Sequence, residues 1–440
     1  MENQKKASFT ALLPFGVFLL FYLGISLWSK DFYAVPMPVA FLAASASALL
    51  IGKRPLEEKI ELYARGMGES NIMLMSMIFI LAGAFAAVAK GSGAVDAAVI
   101  IARHLIPGNL LAGGVFLVSC FISLAIGTSC GTIAALAPVA LGIAGSSGLS
   151  SALLLGAVVG GAMFGDNLSM ISDTTIAATR TQNAAMKDKF WVNIKIAIPA
   201  AAAVLLIYLF SSGSGSALPE PAPLSWRHFV LVLPYGAVLV CAALGFNVML
   251  LLFAGTVAAL ILGSLCGGFD MLSGIGIAGK GTIGMAETLI VALLAGGLLG
   301  MIRHNGGIDY LISKIEKNIR SARGCEAGCA LLVTLVNLFT ANNTVAIVVA
   351  GPVARELSLK YVCDNKRIAA ILDCASCVAQ GVIPYGAQIL IALGVAKSLG
   401  VTIPVNALLA TLYYPMVLAV GIVIFILRGS ASRNKVQKGK

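Results

Sequence analysis

Runs of about 20 apolar residues, separated by short polar stretches, recur along the whole of this chain and restrict its fold more than any other feature. That is the length a helix needs to cross the hydrocarbon of a bilayer. Inside hydrocarbon every backbone amide must find its partner within the protein, so the runs are expected to be helices. Residues 9–29, 34–52, 70–89, 109–126, 150–164 and 190–210 read as spans or parts of spans in the first half. Composition agrees, with 59% hydrophobic and 11% charged residues and a mean hydropathy of +0.96. The expected fold class is an all-α polytopic protein of the plasma (inner) membrane, with the lipid bilayer as its main partner. A length of 440 residues leaves room for about ten to twelve such segments and for no sizeable soluble domain.

Several function classes drop out at once. There is no Gly-x-x-x-x-Gly-Lys-Ser/Thr phosphate loop, so the energy source would be an ion gradient. The net charge of +11 is spread over short loops, which suits membrane orientation and not nucleic-acid binding. Nine cysteines, including Cys120, Cys130, Cys241, Cys374 and Cys377, read mostly as small packing residues. Cys374 and Cys377 have a metal-like spacing but lack a second pair, and no cofactor is expected. No His-Glu-x-x-His occurs and the central stretch has no serine-nucleophile motif, so the chain does not read as an enzyme. The first apolar run, after Lys5 and Lys6, is long enough to remain a span and not a cleaved signal.

The central stretch is Gly165-Asp-Asn-Leu-Ser-Met-Ile-Ser-Asp-Thr-Thr175. It sets two carboxylates, Asp166 and Asp173, among Asn167, Ser169, Ser172 and Thr174, between apolar runs. Ionisable groups in hydrocarbon usually line an ion path, so a functional site is the default reading; the alternative is a polar loop at the membrane surface. Short polar side chains compete with the helix for its own backbone, which predicts a break here.

A linker rich in Ser, Gly and Pro, 212–226, divides the chain, and the second part repeats the first at an offset of 214 residues. The polar interruption Gly127-Thr-Ser-Cys-Gly-Thr132 falls on Ala341-Asn-Asn-Thr-Val-Ala346, and Pro138 on Pro352. Thr128, Ser129 and Cys130 thus correspond to Asn342, Asn343 and Thr344, and Thr132 to Ala346. Gly165–Thr175 lands on 379–389, again polar and broken by Gly and Pro. Interrupted apolar segments at matching positions of two halves point to a transporter's binding site. Basic residues predict that the halves are inverted. The loop 53–69 carries Lys53, Arg54, Lys59 and Arg65, whereas its counterpart near 267–283 has Lys280 alone. Conversely, Arg355, Lys360, Lys366 and Arg367 have no basic counterparts at 145–149, and Arg180, Lys187 and Lys189 face a lone Lys397. With positive loops inside, the halves oppose each other and both termini are cytoplasmic. The expected division is 1–211 (scaffold helices, then a re-entrant hairpin and a broken helix), the linker 212–226, an inverted repeat at 227–428 and a basic cytoplasmic tail at 429–440. Each half would hold about five transmembrane helices.

Other polar residues are weaker candidates. Asp373 lies in an apolar run seven residues before Gln380, about two helical turns, so with Ser376 both could share one cavity wall; a helix-start acid is the alternative. Glu287 reads as interfacial, Asp96 and Asp309 as caps, and His104, His228 and His304 as boundary residues.

The motif Gly165-Asp166, Ser169, Ser172-Asp173-Thr174 resembles the signature of the NhaC-type sodium/proton antiporter family, within the ion transporter superfamily. Met170 stands where that signature has proline, and Asn167 where lysine is common, which removes a positive charge beside the carboxylates. The resemblance implies a scaffold domain, a transport domain moving in elevator fashion with two opposed hairpins, and sodium/proton exchange; by analogy it implies a homodimer. Some relatives move malate with lactate, or amino acids, so sodium-coupled transport of a small organic solute stays open, as does a passive channel. In the mechanism expected from the residues, Asp166 and Asp173 bind sodium or protons, and Asn167, Ser169, Ser172 and Thr174 complete the oxygen shell. Thr128, Ser129, Thr132, Asn342, Asn343 and Thr344, with Asp373, Ser376 and Gln380, supply the opposite wall.

Overall fold

The computed structural model describes residues 8–29, 36–52, 54–105, 107, 110–170, 172–211, 222–244 and 246–429. Most of the predicted linker (212–221) and tail (430–440) lies outside the described residues. All regular structure among the described residues is helical.

The first half opens with α1 (Leu13–Ser29), α2 (Met37–Leu50), α3 (Leu56–Met67), α4 (Ser70–Gly91) and α5 (Ala94–Leu105). It continues through α6 (Leu111–Ile126), α7 (Ser129–Ser147), α8 (Ser151–Leu168), α9 (Asp173–Gln182) and α10 (Met186–Ser211). The second half opens with α11 (Trp226–Ala243), α12 (Val248–Leu265), α13 (Met271–Gly284), α14 (Ala286–His304) and α15 (Gly307–Glu316). There follow α16 (Ala322–Thr340), α17 (Asn343–Lys360), α18 (Asn365–Val382), α19 (Ala387–Ser398), the short α20 (Val405–Ala410) and α21 (Tyr413–Arg428).

The repeat seen in the sequence is a repeat of structure. Helices α8 and α18 begin and end 214 residues apart, and α6/α16, α7/α17 and α9/α19 match within a few residues at their ends. So does their hydrogen bonding. Ser123 Oγ donates to the Ala162 carbonyl at 2.6 Å, and at the same offset Asn337 Nδ2 donates to the Ser376 carbonyl at 2.7 Å. Gly127 and Ala341 both close a helix in the left-handed region, with φ of 74° and 50°. Seven helical segments are long and apolar enough to cross a membrane, and five shorter apolar helices accompany them. Three of the seven, Ser151–Gln182, Met271–His304 and Asn365–Ser398, each run through an interruption.

Several polar stretches expected as loops are helical. Residues 56–67 of the charged stretch form α3, which packs on α14 through glycine; a Cβ on Gly66 would meet the Gly296 carbonyl at 2.6 Å. Only Gly127 and Thr128 interrupt α6 and α7, because Ser129 already starts the next helix. Asp166 and Asn167 belong to the last turn of α8, so the central break shrinks to Ser169–Ser172. Lys187 and Lys189, read as loop residues, lie in the first turn of α10.

Helix α8 sits at the centre, with every residue from Ala152 to Leu168 buried. A helix apolar on all sides has no solvent face to show and belongs in a core. Small residues let its neighbours close in, the usual substitute for a hydrophobic driving force between helices in lipid. A Cβ on Gly161 would stand 2.5 Å from the Phe116 carbonyl of α6. Gly161→Ala is therefore expected to cost about 1–3 kcal/mol by overpacking. Gly145 in α7, with nothing within 4 Å, is the control. There alanine is expected to be neutral or stabilising by up to about 1 kcal/mol, read as unfolding midpoints in detergent.

Candidate functional site

Two chain interruptions and two helix breaks meet at one cavity of about 660 Å³. The first interruption is set by Gly127, whose left-handed conformation turns the chain so that Thr128 and the N-terminus of α7 face inward. Exposed amides at a helix start favour a carboxylate. One is supplied: Ser129 N–H donates to Asp166 Oδ1 at 2.9 Å, across from α8. The second interruption is built without glycine. Ala341 takes the left-handed conformation, and its carbonyl accepts from Gln380 Nε2 at 2.8 Å, which holds a strained turn in place. Asn342 then caps α17, accepting from Val345 N–H at 3.0 Å.

The break after α8 is ordered by its own polar residues. Ser172 caps α9, accepting from Thr175 N–H at 3.2 Å and donating to the Asp166 carbonyl at 2.8 Å. Asp173, the first residue of α9, is exposed toward the cavity, and Thr174 lies beside it.

Of the residues singled out in the sequence, the structure brings Asp166, Asp173, Thr174, Thr128, Ser129, Asn342, Asn343 and Thr344 to the cavity wall. Asp166 is only 5% exposed, at the innermost part of it. The others are placed elsewhere. Asn167, Ser169 and Ser172 are buried away from the lining, and Thr132 turns back to the Thr128 carbonyl. Asp373, Ser376 and Gln380 share a helix as expected, but they are buried and absent from the cavity wall. The seven-residue spacing correctly put Asp373 and Gln380 on one helix; it could not show that α10 would cover Asp373.

Behind the cavity lies a polar cluster that the sequence reading did not assemble. Lys189 Nζ pairs with Asp373 Oδ2 at 2.7 Å, both side chains almost wholly buried. The same ammonium donates to Thr175 Oγ1 at 2.6 Å and to the Asn167 carbonyl at 3.0 Å. Asn193 Nδ2 donates to Asp373 Oδ2 and to the Asn167 carbonyl, and Tyr414 OH donates to Asn167 Oδ1. The positive charge that seemed to be missing at residue 167 is thus present, carried by Lys189 from α10. It neutralises Asp373, leaving Asp166 and Asp173 as the carboxylates that face the cavity. Arg180 and Gln388 also line the cavity, and both were passed over. Arg180 looked like a loop cation; Gln388 stands 214 residues after Thr174, so the repeat already pointed to it.

Oxygen donors dominate here, a set suited to a hard cation such as sodium and not to a transition metal. Among the described residues no group of three His, Cys, Asp or Glu side chains is placed to hold a metal ion.

Comparison with known proteins places the chain. The Na+/H+ antiporter family matches it in two stretches, residues 5–212 and 222–429. A malate-2H+/Na+-lactate antiporter of Bacillus subtilis (strain 168) is 22% identical over 407 residues, 86% of each chain. The Na+/H+ antiporter NhaC of the same organism is 31% identical over 180 residues, 40% of this chain and 38% of that one. NhaC of Alkalihalophilus pseudofirmus (strain ATCC BAA-2126 / JCM 17055 / OF4) is 23% identical over 419 residues, covering 88% of this chain and 89% of that protein. With apolar helices long enough to cross a bilayer and a family match over both halves, this chain belongs to the Na+/H+ antiporter family and is a multi-pass secondary transporter, not an enzyme.

Proposed function

We propose that this protein exchanges sodium for protons across the plasma (inner) membrane, with Asp166 and Asp173 as the groups that bind one or the other. The observation that carries this reading is the convergence of both carboxylates on one cavity between the two chain interruptions, with Asp166 held by an amide of the facing tip. Burial favours the protonated form of a carboxylate and a nearby cation favours the ionised one, so proton and sodium compete for the same oxygens. Competition at one site gives exchange without simultaneous binding. Thr174, the tip residues and free carbonyls complete the shell, as in transporters built on broken helices. In this reading 1–211 and 227–428 are inverted halves, both termini are cytoplasmic, and one bundle moves against the other in elevator fashion, within a homodimer. Proteoliposomes with a trapped pH dye test it. Sodium added outside, with no organic solute, is expected to drive a pH change inside that Asp173→Asn lowers at least about tenfold. A silent wild type would end the proposal.

A second reading is supported by two observations. The cavity has a volume typical of an organic-ligand site and far beyond one ion, and Arg180 offers it a guanidinium, the side chain best shaped to hold a carboxylate. Sodium-coupled movement of a small carboxylate would use both. Uptake of labelled malate or lactate, driven by sodium and lowered about tenfold or more by Arg180→Gln, is the expected result in that case. No sodium-dependent uptake of either would remove it.

A further inference from the structure

Apart from the cavity, a second groove of about 710 Å³ runs between α10 and α21. Pro199 interrupts the hydrogen bonding of α10, and Gly421 leaves α21 without a side chain opposite Ile196, 3.4 Å from where a Cβ would stand. The walls along the groove are apolar, formed by Ile196, Val420 and Ile424, and the last two are 59% and 44% exposed.

One end is cationic. Lys195, Lys366 and Arg428 line it, all exposed, against a single acid, Asp364. Lys366 lies 4.0 Å from that acid, and among the described residues Lys195 and Arg428 make no ion pair. A fourth cation, Arg367, is already committed. It binds Glu326 through two contacts of 2.6 and 2.8 Å and stacks on Phe425 at 3.9 Å. An apolar trough with an uncompensated positive end is complementary to a molecule with an apolar chain and an anionic head.

We propose that this groove binds one anionic phospholipid of the bilayer, its phosphate among Lys195, Lys366 and Arg428 and an acyl chain along Ile196, Val420 and Ile424. A zwitterionic lipid fills the trough equally well but brings no net charge to the cationic end, so the site discriminates by headgroup. The proposal does not depend on which solute the cavity carries.

The test is native mass spectrometry of the intact protein in neutral detergent, titrated with phosphatidylglycerol or with phosphatidylcholine of the same acyl chains. The wild type is expected to retain one phosphatidylglycerol with a preference of about tenfold or more. Lys195→Gln/Lys366→Gln/Arg428→Gln, changes at exposed side chains, is expected to abolish that preference. Lys314→Gln/Lys317→Gln/Arg320→Gln removes the same charge elsewhere and is expected to keep it. Equal retention of the two lipids by the wild type, a preference surviving in the groove variant, or an equal loss in the control variant would each overturn the proposal. Lys195→Gln alone supplies a milder variant, expected to lower the preference partway; no change would count against the site.

Discussion

Asp166→Asn is expected to silence sodium-driven proton movement while leaving the protein folded. Asparagine has nearly the same shape, and its carbonyl oxygen still accepts from Ser129 N–H, now at 2.9 Å from the carboxylate. The tip therefore stays in place and only the charge goes. Removing a buried charge from a hydrogen-bonded pairing costs about 2–5 kcal/mol. That corresponds to about a thirtyfold to several-thousandfold loss of sodium affinity. Flux in proteoliposomes near that of the wild type, from a variant with an unchanged unfolding midpoint, would refute the assignment of Asp166. A fall in flux with a collapsed midpoint would instead make Asp166 a structural residue, so both quantities have to be measured.

The second large effect is on stability. Lys189 and Asp373 neutralise one another where neither meets water, and removing one partner leaves the other charged and uncompensated. Lys189→Met and Asp373→Asn are each expected to destabilise the protein by about 3–5 kcal/mol. The double variant removes both charges, and a buried ion pair is often worth little net against neutral groups of similar size. It is expected to be no less stable than either single variant, and so less destabilised than their sum by a coupling energy of about 3 kcal/mol or more in the thermodynamic cycle. If the double variant is as unstable as the sum of the two, the pair is not what holds this region together. In Asp373→Asn the Lys189 ammonium would keep only neutral oxygens, those of Thr175, Asn167 and the new side-chain amide, with no negative charge beside it.

How much of this was legible beforehand depended on which force decided each residue. The two halves were readable because a repeat in the order of polar and apolar residues survives divergence of the individual side chains; Ser123 and Asn337 differ chemically yet make the same inter-helix bond. The tips were readable because polar residues are conspicuous in apolar runs. The extent of helix was not. Asp166 and Asn167 have weak helix propensity, but propensity differences of a few tenths of a kcal/mol per residue yield to the packing of a fully buried helix. Lys189 was lost for a related reason. A lysine just ahead of an apolar run reads as the end of a loop, and nothing local reveals that Asp373, far along the chain, waits to pair with it. The same ignorance of tertiary partners put Asp373 in the cavity wall, when α10 covers it.

The repeat also leaves an asymmetry with an electrical meaning. The positions that match Asp166 and Asp173 are Gln380 and Ala387, neither able to gain or lose charge. Gln380 instead donates to the Ala341 carbonyl, so in the second half the matching side chain makes a neutral hydrogen bond whatever the ionic conditions. With Lys189 and Asp373 cancelling, each cycle of the proposed exchange changes charge in the first half alone. A membrane potential does about 2.3 kcal/mol of work per 100 mV on a unit charge that crosses it. That voltage would then act on this molecule through one locus, and a sensitivity of turnover to voltage would report the charge state of Asp166 and Asp173 together, with no contribution from the tip that faces them.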